Sequence, residues 1–409
     1  MTGNASKQTT LGAIAEFTNG GAWNQAEYSD EGIPVVRVTN IKNESVDFSD
    51  RKFLPKSSLG KYAKHTLKAG DLVICTVGSH PTQPGSVVGR AAVMPQIAHG
   101  ALLNQNAVCI RSSSPEVDQG WLGHLGRCQM SHDYIIGCAR GSANQVRMAI
   151  ELLKEMPVEV PPLLVQQRIA GILSAYDDLI ENNLKRIKIL EEIARTLYRH
   201  FIRIGGHEVI SKSVSEVSYW RFISENVAPY KGKKRYYATA DIDSIAIRGE
   251  GIDYFFAEKP SRAQKQPTPF SVWFARMKET YKIAWYTDVN SGEANSSVLS
   301  SGFAGFSVSR PYFFPILFLT ISSKEFHEQK DLFCTGATQM SLTNEGLSRI
   351  KVPILDEKNA RIFGEITLPL LNQMLILQIQ IQNLRRTRDL LLPRLMSGQV
   401  DADEMSSEL

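Results

Sequence analysis

"YDDLIENNLKRIKILEEIARTLYRHF", residues 176–201, places apolar or aromatic side chains at Tyr176, Ile180, Ile187, Leu190, Ala194, Leu197 and Phe201, with Asn183 in the remaining slot. The steps alternate between four and three, the spacing of a heptad seam along one side of an α-helix. A helix with one narrow apolar stripe cannot bury it alone, and it is covered either by packing on its own domain or by a second such helix, the latter suiting a strict heptad better. Adding 194 to each position finds one: Leu370, Met374, Leu377, Ile381, Leu384, Arg388, Leu391 and Leu395 carry the same seam in phase. The match continues upstream at that offset, pairing Gln145 with Gln339, Glu151 with Glu345, Leu153 with Leu347, Met156 with Ile350, Val158 with Val352 and Ile172 with Ile366.

Farther upstream the offset drifts to about 200, as insertions in loops produce, and the order of segments persists. "IPVVRVTNI" (33–41) stands against "KRYYATADI" (234–242), "AGDLVICTVGS" (69–79) against "FSVWFARMKET" (270–280), and "VVGRAAVM" (87–94) against "TYKIAWYT" (280–287). These are short runs rich in β-branched and aromatic residues, bounded by Gly, Pro, Asn and Ser, as strands of a mixed sheet are. The expected fold is α/β (α+β): two pseudo-repeated domains with mixed β-sheets, joined by two long antiparallel helices that form a coiled coil.

The boundaries follow from chain breakers. A first domain spans 1–160 and ends at "VEVPPL" (158–163), where two prolines remove donors and hold the chain extended. A central helix occupies 161–206, starting near Val165 and stopped by Gly205 and Gly206. A second domain spans 207–355, a second helix lies within 356–400 and closes at Pro393, and residues 401–409 form a polar tail. At about 1.5 Å per residue the central helix is roughly 57 Å long. Asn183 and Arg388 interrupt the apolar seam, which points to a role in register or in meeting a partner subunit.

Composition excludes several classes. No run of about 18 apolar residues occurs, and "MTGNASKQTTLG" has neither a basic nor an apolar leader segment, so a membrane location is not expected. Five cysteines, Cys75, Cys109, Cys128, Cys138 and Cys334, are widely spaced without a C-x-x-C pair, which suits reduced thiols and a cytoplasmic location. The net charge of +4 is only mildly basic, but its distribution is uneven. "RKFLPKSSLGKYAKHTLK" (51–68) holds six Lys/Arg and no acid, and "YKGKKRYY" (230–237) packs four cations among aromatics. Basic runs at comparable places in two halves suit a surface that contacts phosphates.

The residues of the repeat carry a resemblance. "GDLVICTVGS" (70–79), "VVGR" (87–90), "LLNQNAVCIR" (102–111), "GSANQ" (141–145) and "VEVPPLLVQQRIAGIL" (158–173), followed by "TGATQMSL" (335–342), "IKVPIL" (350–355) and "LRRTRDLLLPRLMSGQV" (384–400), resemble the DNA-specificity subunits of type I restriction-modification enzymes over nearly the whole chain. The second half departs from the pattern, with "VPIL" where P-x-P-P-L-x-x-Q would stand and no Gly-Arg in its middle. The resemblance implies two target-recognition domains, each reading one half of a split site on double-stranded DNA. The helices would space them and dock adenine methyltransferase (modification) subunits, while restriction and translocase activities sit on further subunits. S-adenosylmethionine, ATP and Mg would then belong to those partners, with no cofactor or metal on this chain and no catalytic residue.

The chain itself has no [ND]-P-P-[FY] methyltransferase signature and no G-x-x-x-x-G-K-[ST] phosphate loop. His124, Cys128 and His132 fall at i, i+4 and i+8, with Cys138 beyond, but lack the paired spacing of a structural zinc site, and a half-buried helix is expected there. Asp356 and Lys358 make the end of a nuclease-like pattern without an upstream acid. Base edges are read by Arg, Asn and Gln, and phosphates are held by Lys and backbone amides. On that basis the DNA-contact candidates in the first half are Trp23, Asn24, Arg37, Asn40, Lys42, Ser79, His80, Gln83 and Asn144. In the second half they are Lys231, Lys233, Lys234, Arg235, Arg276, Lys278, Asn295 and Gln339. The alternative of another class is a coiled-coil protein adaptor without sequence-specific DNA readout.

Overall fold

The computed structural model describes residues 6–400 except 43–44, 49, 80–85, 139, 143–144, 204–209 and 338. The chain divides into two compact units, Met1–Leu179 with Leu384–Leu409, and Ile180–Asn383. The division falls within both long helices, so each unit holds one globular half and a segment of each helix.

In the first unit an antiparallel sheet runs in the order Ala15–Asn19, Ala107–Ser112, Leu72–Cys75, Ala91–Val93. Alternation decides what each face meets. Leu72, Ile74, Val108 and Ile110 pack with Trp121, Leu122 and Leu125 of the helix Gln119–Arg127, while Val73, Cys75, Ala107 and Cys109 turn to a second cluster with Val36 and Ile41. A smaller sheet sets Ile33–Val36 between Leu102–Leu103 in parallel and Lys52–Leu54 antiparallel. Lys7–Thr10 pairs antiparallel with Pro157–Val160, tying the start of the chain to the approach of the central helix.

The second unit repeats this plan strand for strand. Trp220–Phe222, Phe303–Val308, Ser271–Ala275 and Ile283–Tyr286 form the four-stranded sheet in the same order. Val272 and Phe274 face one core cluster, Trp273 and Ala275 another. Lys233–Tyr237 runs parallel to Ser297–Ser300 and antiparallel to Ile252–Phe255, with Ala263–Lys265 added at the far edge, and Ser211–Ser213 pairs with Lys351–Pro353. The aligned segments read from the sequence therefore occupy equivalent strands.

The central helix is Leu163–Phe201 and the terminal helix Glu357–Met396. Within the second unit they run antiparallel: the Asn183 amide donates to Gln380 Oε1 at 3.4 Å, and the Phe201 and Phe363 rings lie 5.2 Å apart. Ile180, Asn183, Ala194, Met374, Leu377 and Ile381 are buried, whereas Ile187, Leu190, Leu197 and Leu370 are half-buried. Leu371, fully buried beside Leu370, shows the stripe to be wider than a strict heptad at that turn. In the first unit Tyr176, Leu391, Leu392 and Leu395 join the core around Ile169 and Leu173, with Leu384 half-buried. The terminal helix does not stop at Pro393 as expected but continues to Met396, and it also contains Pro369. Both prolines are exposed, so each costs a backbone bond without placing its ring in the core. By length and composition alone this helix is apolar enough to cross a membrane; Phe363, Leu371, Met374, Leu375 and Leu377 spend that apolar surface on the second unit's core.

Arg388, the cation on the seam, meets a carboxylate. Its guanidinium donates to Asp177 Oδ1 at 2.7 Å, and Arg127 donates to Asp177 Oδ2 at the same distance. Burial works to raise the Asp177 pKa, but the two guanidinium groups outweigh it and hold the carboxyl below its usual range. Arg127 also donates to His124 Nδ1 at 2.7 Å, which leaves the proton on Nε2, 3.2 Å from Ser174 Oγ. His124 is only 3% exposed, and burial, then the Arg127 charge, push its pKa down to about 3. The expected single helix through His124, Cys128 and His132 is instead broken at Cys128, so the three do not share one helical face.

Because the folded pKa of His124 lies below the unfolded value of about 6.5, its neutral state contributes fully above that pH. The contribution is lost as pH falls toward 3. Unfolding free energies from urea titrations are expected to fall by up to about 1.4 kcal/mol per pH unit from this group between about pH 6.5 and pH 5, with a shallower slope in His124→Gln.

Candidate nucleic-acid interface

In each half the strand that leaves the smaller sheet runs into a single 3-10 turn, Val38–Asn40 or Thr239–Asp241. A polar side chain clasps that turn. Asn40 Oδ1 accepts from the Arg37 backbone N–H at 3.0 Å, and its amide donates to the Asp47 carbonyl at 2.9 Å. Asp241 Oδ2 accepts from the Ala238 N–H at 2.7 Å in the same position. Asn40 is 3% exposed, so its expected role as a base reader is corrected: it shapes the loop and is spent doing so.

Trp23 is corrected likewise. It is 9% exposed and packs edge-on against Tyr62 with ring centroids 5.2 Å apart, in a cluster with Val35, Leu54 and Leu102. Arg37 is occupied, donating to the Asp50 carboxylate at 2.7 Å and the Asp50 carbonyl at 2.8 Å. That hydrogen bond and the Arg37 charge lower the Asp50 pKa. Asn24 and Lys42 are exposed, Lys42 on the short hairpin Ile41–Lys42 with Ser45–Val46. Ser79 is half-buried and its carbonyl accepts from Ser86 Oγ at 2.7 Å. His80, Gln83 and Asn144 lie outside the described residues.

In the second half, the strand Lys233–Tyr237 holds three candidates, and Lys231 lies just before it. Lys231 and Lys233 are exposed, and the Lys233 ammonium sits 5.1 Å from the Phe255 ring centroid. Lys234 donates to Gln266 Oε1 at 2.6 Å and lies 5.2 Å from the Tyr230 ring; partial burial lowers its pKa. Arg235 forks onto Asp253 at 2.9 and 3.0 Å. Gln266 continues to the carbonyls of Ala294 and Ser297, which brings the helix Ser291–Ser296 with its exposed Asn295 beside the basic strand.

Arg276, Lys278 and Gln339 form a separate group. Arg276 donates to the Leu342 carbonyl at 3.0 Å and to Asn344 Oδ1 at 2.9 Å, and burial lowers its pKa. Lys278 and Gln339 reach the sulfurs of Met340 and Met277 at 3.9 and 3.4 Å. The arrangement leaves lysines, more than arginines, available to a polyanion.

Sequence reasoning named the 51–68 run without naming its residues as contacts. Lys52, Lys56, Lys61 and Lys64 are exposed there, and Lys52 opens the strand Lys52–Leu54 that answers Ile252–Phe255 topologically. The signal was the acid-free run itself; which lysines face outward depends on strand and helix phase. Asp356, the nuclease alternative, accepts from the Asn359 N–H at 2.9 Å and caps the start of the terminal helix, and that backbone bond lowers its pKa.

Residues 5–194, which hold the first unit's sheets and most of the central helix, match the family described as type I restriction modification DNA specificity domain. The family match covers this part of the chain, somewhat less than half of it. The chain is 24% identical over 186 residues to the putative type I restriction enzyme MjaX specificity subunit of Methanocaldococcus jannaschii, covering 46% of this chain and 43% of that protein. It is 21% identical over 187 residues to the type I restriction enzyme MjaVIII specificity subunit of the same organism, again 46% and 43%. The matched stretch thus spans less than half the length of these relatives. The whole fold is similar to the crystal structure of the type I restriction-modification system S subunit from M. genitalium, with TM-score 0.59, 15% identity, and 97% of each chain covered. At that identity the likeness shows the fold.

Trp23→Ala is expected to act through the core, lowering unfolding stability by about 3 kcal/mol or more. A folded variant of unchanged denaturant midpoint that loses only DNA retention would contradict the placement of Trp23.

Proposed function

We propose that the chain is the sequence-specific DNA-binding specificity subunit of a type I restriction-modification complex. The observation that carries this is the double use of one sheet plan on two continuous helices, with different side chains on equivalent loops and edges. Two similar but unequal domains read two different short sequences, so the target on double-stranded DNA is bipartite and asymmetric. In this reading the helices set the spacing between the half-sites, on DNA that advances about 34 Å per turn. The solvent-facing sides of the helices carry Leu184, Ile189, Ile193 and Ile376, apolar surface that would dock adenine methyltransferase subunits.

In this reading the chain performs no catalysis. S-adenosylmethionine, ATP and Mg act on the methyltransferase and restriction/translocase subunits, and the assembly works in the cytoplasm. Exposed lysines such as Lys231 and Lys233 hold phosphates and position the domain, while loop side chains discriminate bases.

The test is selection of random duplexes by the tagged chain with its copurifying partners. A two-part motif with a fixed gap, recovered with an adenine methyltransferase, is expected; uniform retention of all sequences would favour the coiled-coil adaptor. Lys231→Ala with Lys233→Ala is expected to weaken retention equally for all sequences, and to flatten the slope of log affinity against log salt by about 0.9 for each phosphate that is no longer neutralised.

A further inference from the structure

The repeat creates an ambiguity that its own helices must resolve. Because the seams are copies of each other, the central helix of one molecule offers a surface similar to the terminal helix that its own chain supplies. Shifting by 194 converts the pair Asp177 and Arg388 into Leu371 and Ala194. The same crossing is therefore closed in the first unit by a carboxylate and a guanidinium at 2.7 Å, and in the second by two fully buried apolar residues of one core cluster.

We propose that the Asp177–Arg388 ion pair is a pairing key, which selects central-with-terminal helix pairing and rejects the like-with-like pairing that a second copy of this chain would offer. In a terminal-with-terminal pair of the same register, Arg388 faces Leu371 of the other copy. Its charge, 7% exposed in the chain as folded, then loses the carboxylate of Asp177 and keeps its neighbour Asp389. In a central-with-central pair, Asp177 faces Ala194 and keeps Arg127 alone.

A second polar contact points the same way. Asn183, 7% exposed, donates to Gln380, and the same shift turns these positions into Leu377 and Arg186. Like-with-like pairing would set Gln380 against Leu377, and Asn183 beside Arg186. One buried polar residue on a seam is enough to choose partner and register in helix pairs. The key is independent of DNA binding and would hold if the function proposed above failed.

The test uses the full chain. If Asp177 stood opposite position 194 of a second central helix, the two-fold axis would pass between residues 185 and 186, so a cysteine at Arg186 would be held beside its own copy in the rejected arrangement. In the chain as folded that position is exposed and meets another copy by collision alone, a background common to every variant compared. Arg186→Cys is refolded under oxidising conditions with Arg388 intact and with Arg388→Met, which keeps volume without charge. Disulfide-linked dimer through position 186, mapped by peptide mass, is expected to rise about tenfold or more in the Met variant, and to stay low with Arg388→Lys. Equal dimer fractions in folded wild-type and Met backgrounds would overturn the key. So would failure of both Arg388→Met and Arg388→Ala to give a cooperative unfolding transition, because the charge would then be needed to fold and not to choose.

Discussion

Two apolar stripes, each on a helix too long and too narrow-faced to bury its own seam, must cover each other, and the remaining architecture is arranged around that requirement. A chain that pairs its centre with its end has to insert a domain of its own between them. The buried set around Ala194, Met374 and Leu377 in the second unit, and Leu173, Leu392 and Leu395 in the first, shows the stripes spent on this purpose. Polar residues on the seam are accommodated where a partner answers them. Arg388 is costly in isolation, and two neighbouring carboxylates make it tolerable.

Each globular half solves a second problem, burying both faces of a short antiparallel sheet. Alternating residues of Leu72–Cys75 and Ser271–Ala275 go to different clusters, so these strands are apolar almost throughout. The sheets hold the loops at equivalent places, and the loops are free to differ. Asn40 and Asp241 illustrate the limit of that freedom, since both halves keep a short polar side chain to clasp the same turn.

The candidate interface divides by residue type. Arg37, Arg235 and Arg276 are engaged with acids, carbonyls or an amide, while Lys42, Lys231 and Lys233 face solvent. Arginine's planar fork is readily satisfied by a carboxylate or carbonyl within the protein, and lysine's flexible stem keeps its charge hydrated. Composition alone does not separate these cases: Lys233 and Arg235 belong to one run, yet only Arg235 has Asp253 opposite it across the strand pair.

The order of strands, the two long helices and their matched seams were legible in the sequence, because periodicity and repetition are local or self-referential properties of a chain. Trp23 and Asn40 were misread because burial is not local. Nothing near Trp23 in the chain shows that Tyr62 and Val35 close over its ring from distant positions. The sequence by itself determined that there are two halves, what each is made of, and which helix faces must be covered. Only the tertiary structure decided which cations face solvent and which polar residues are spent, since that depends on what three-dimensional packing places opposite each side chain, as Asp177 is placed between Arg127 and Arg388.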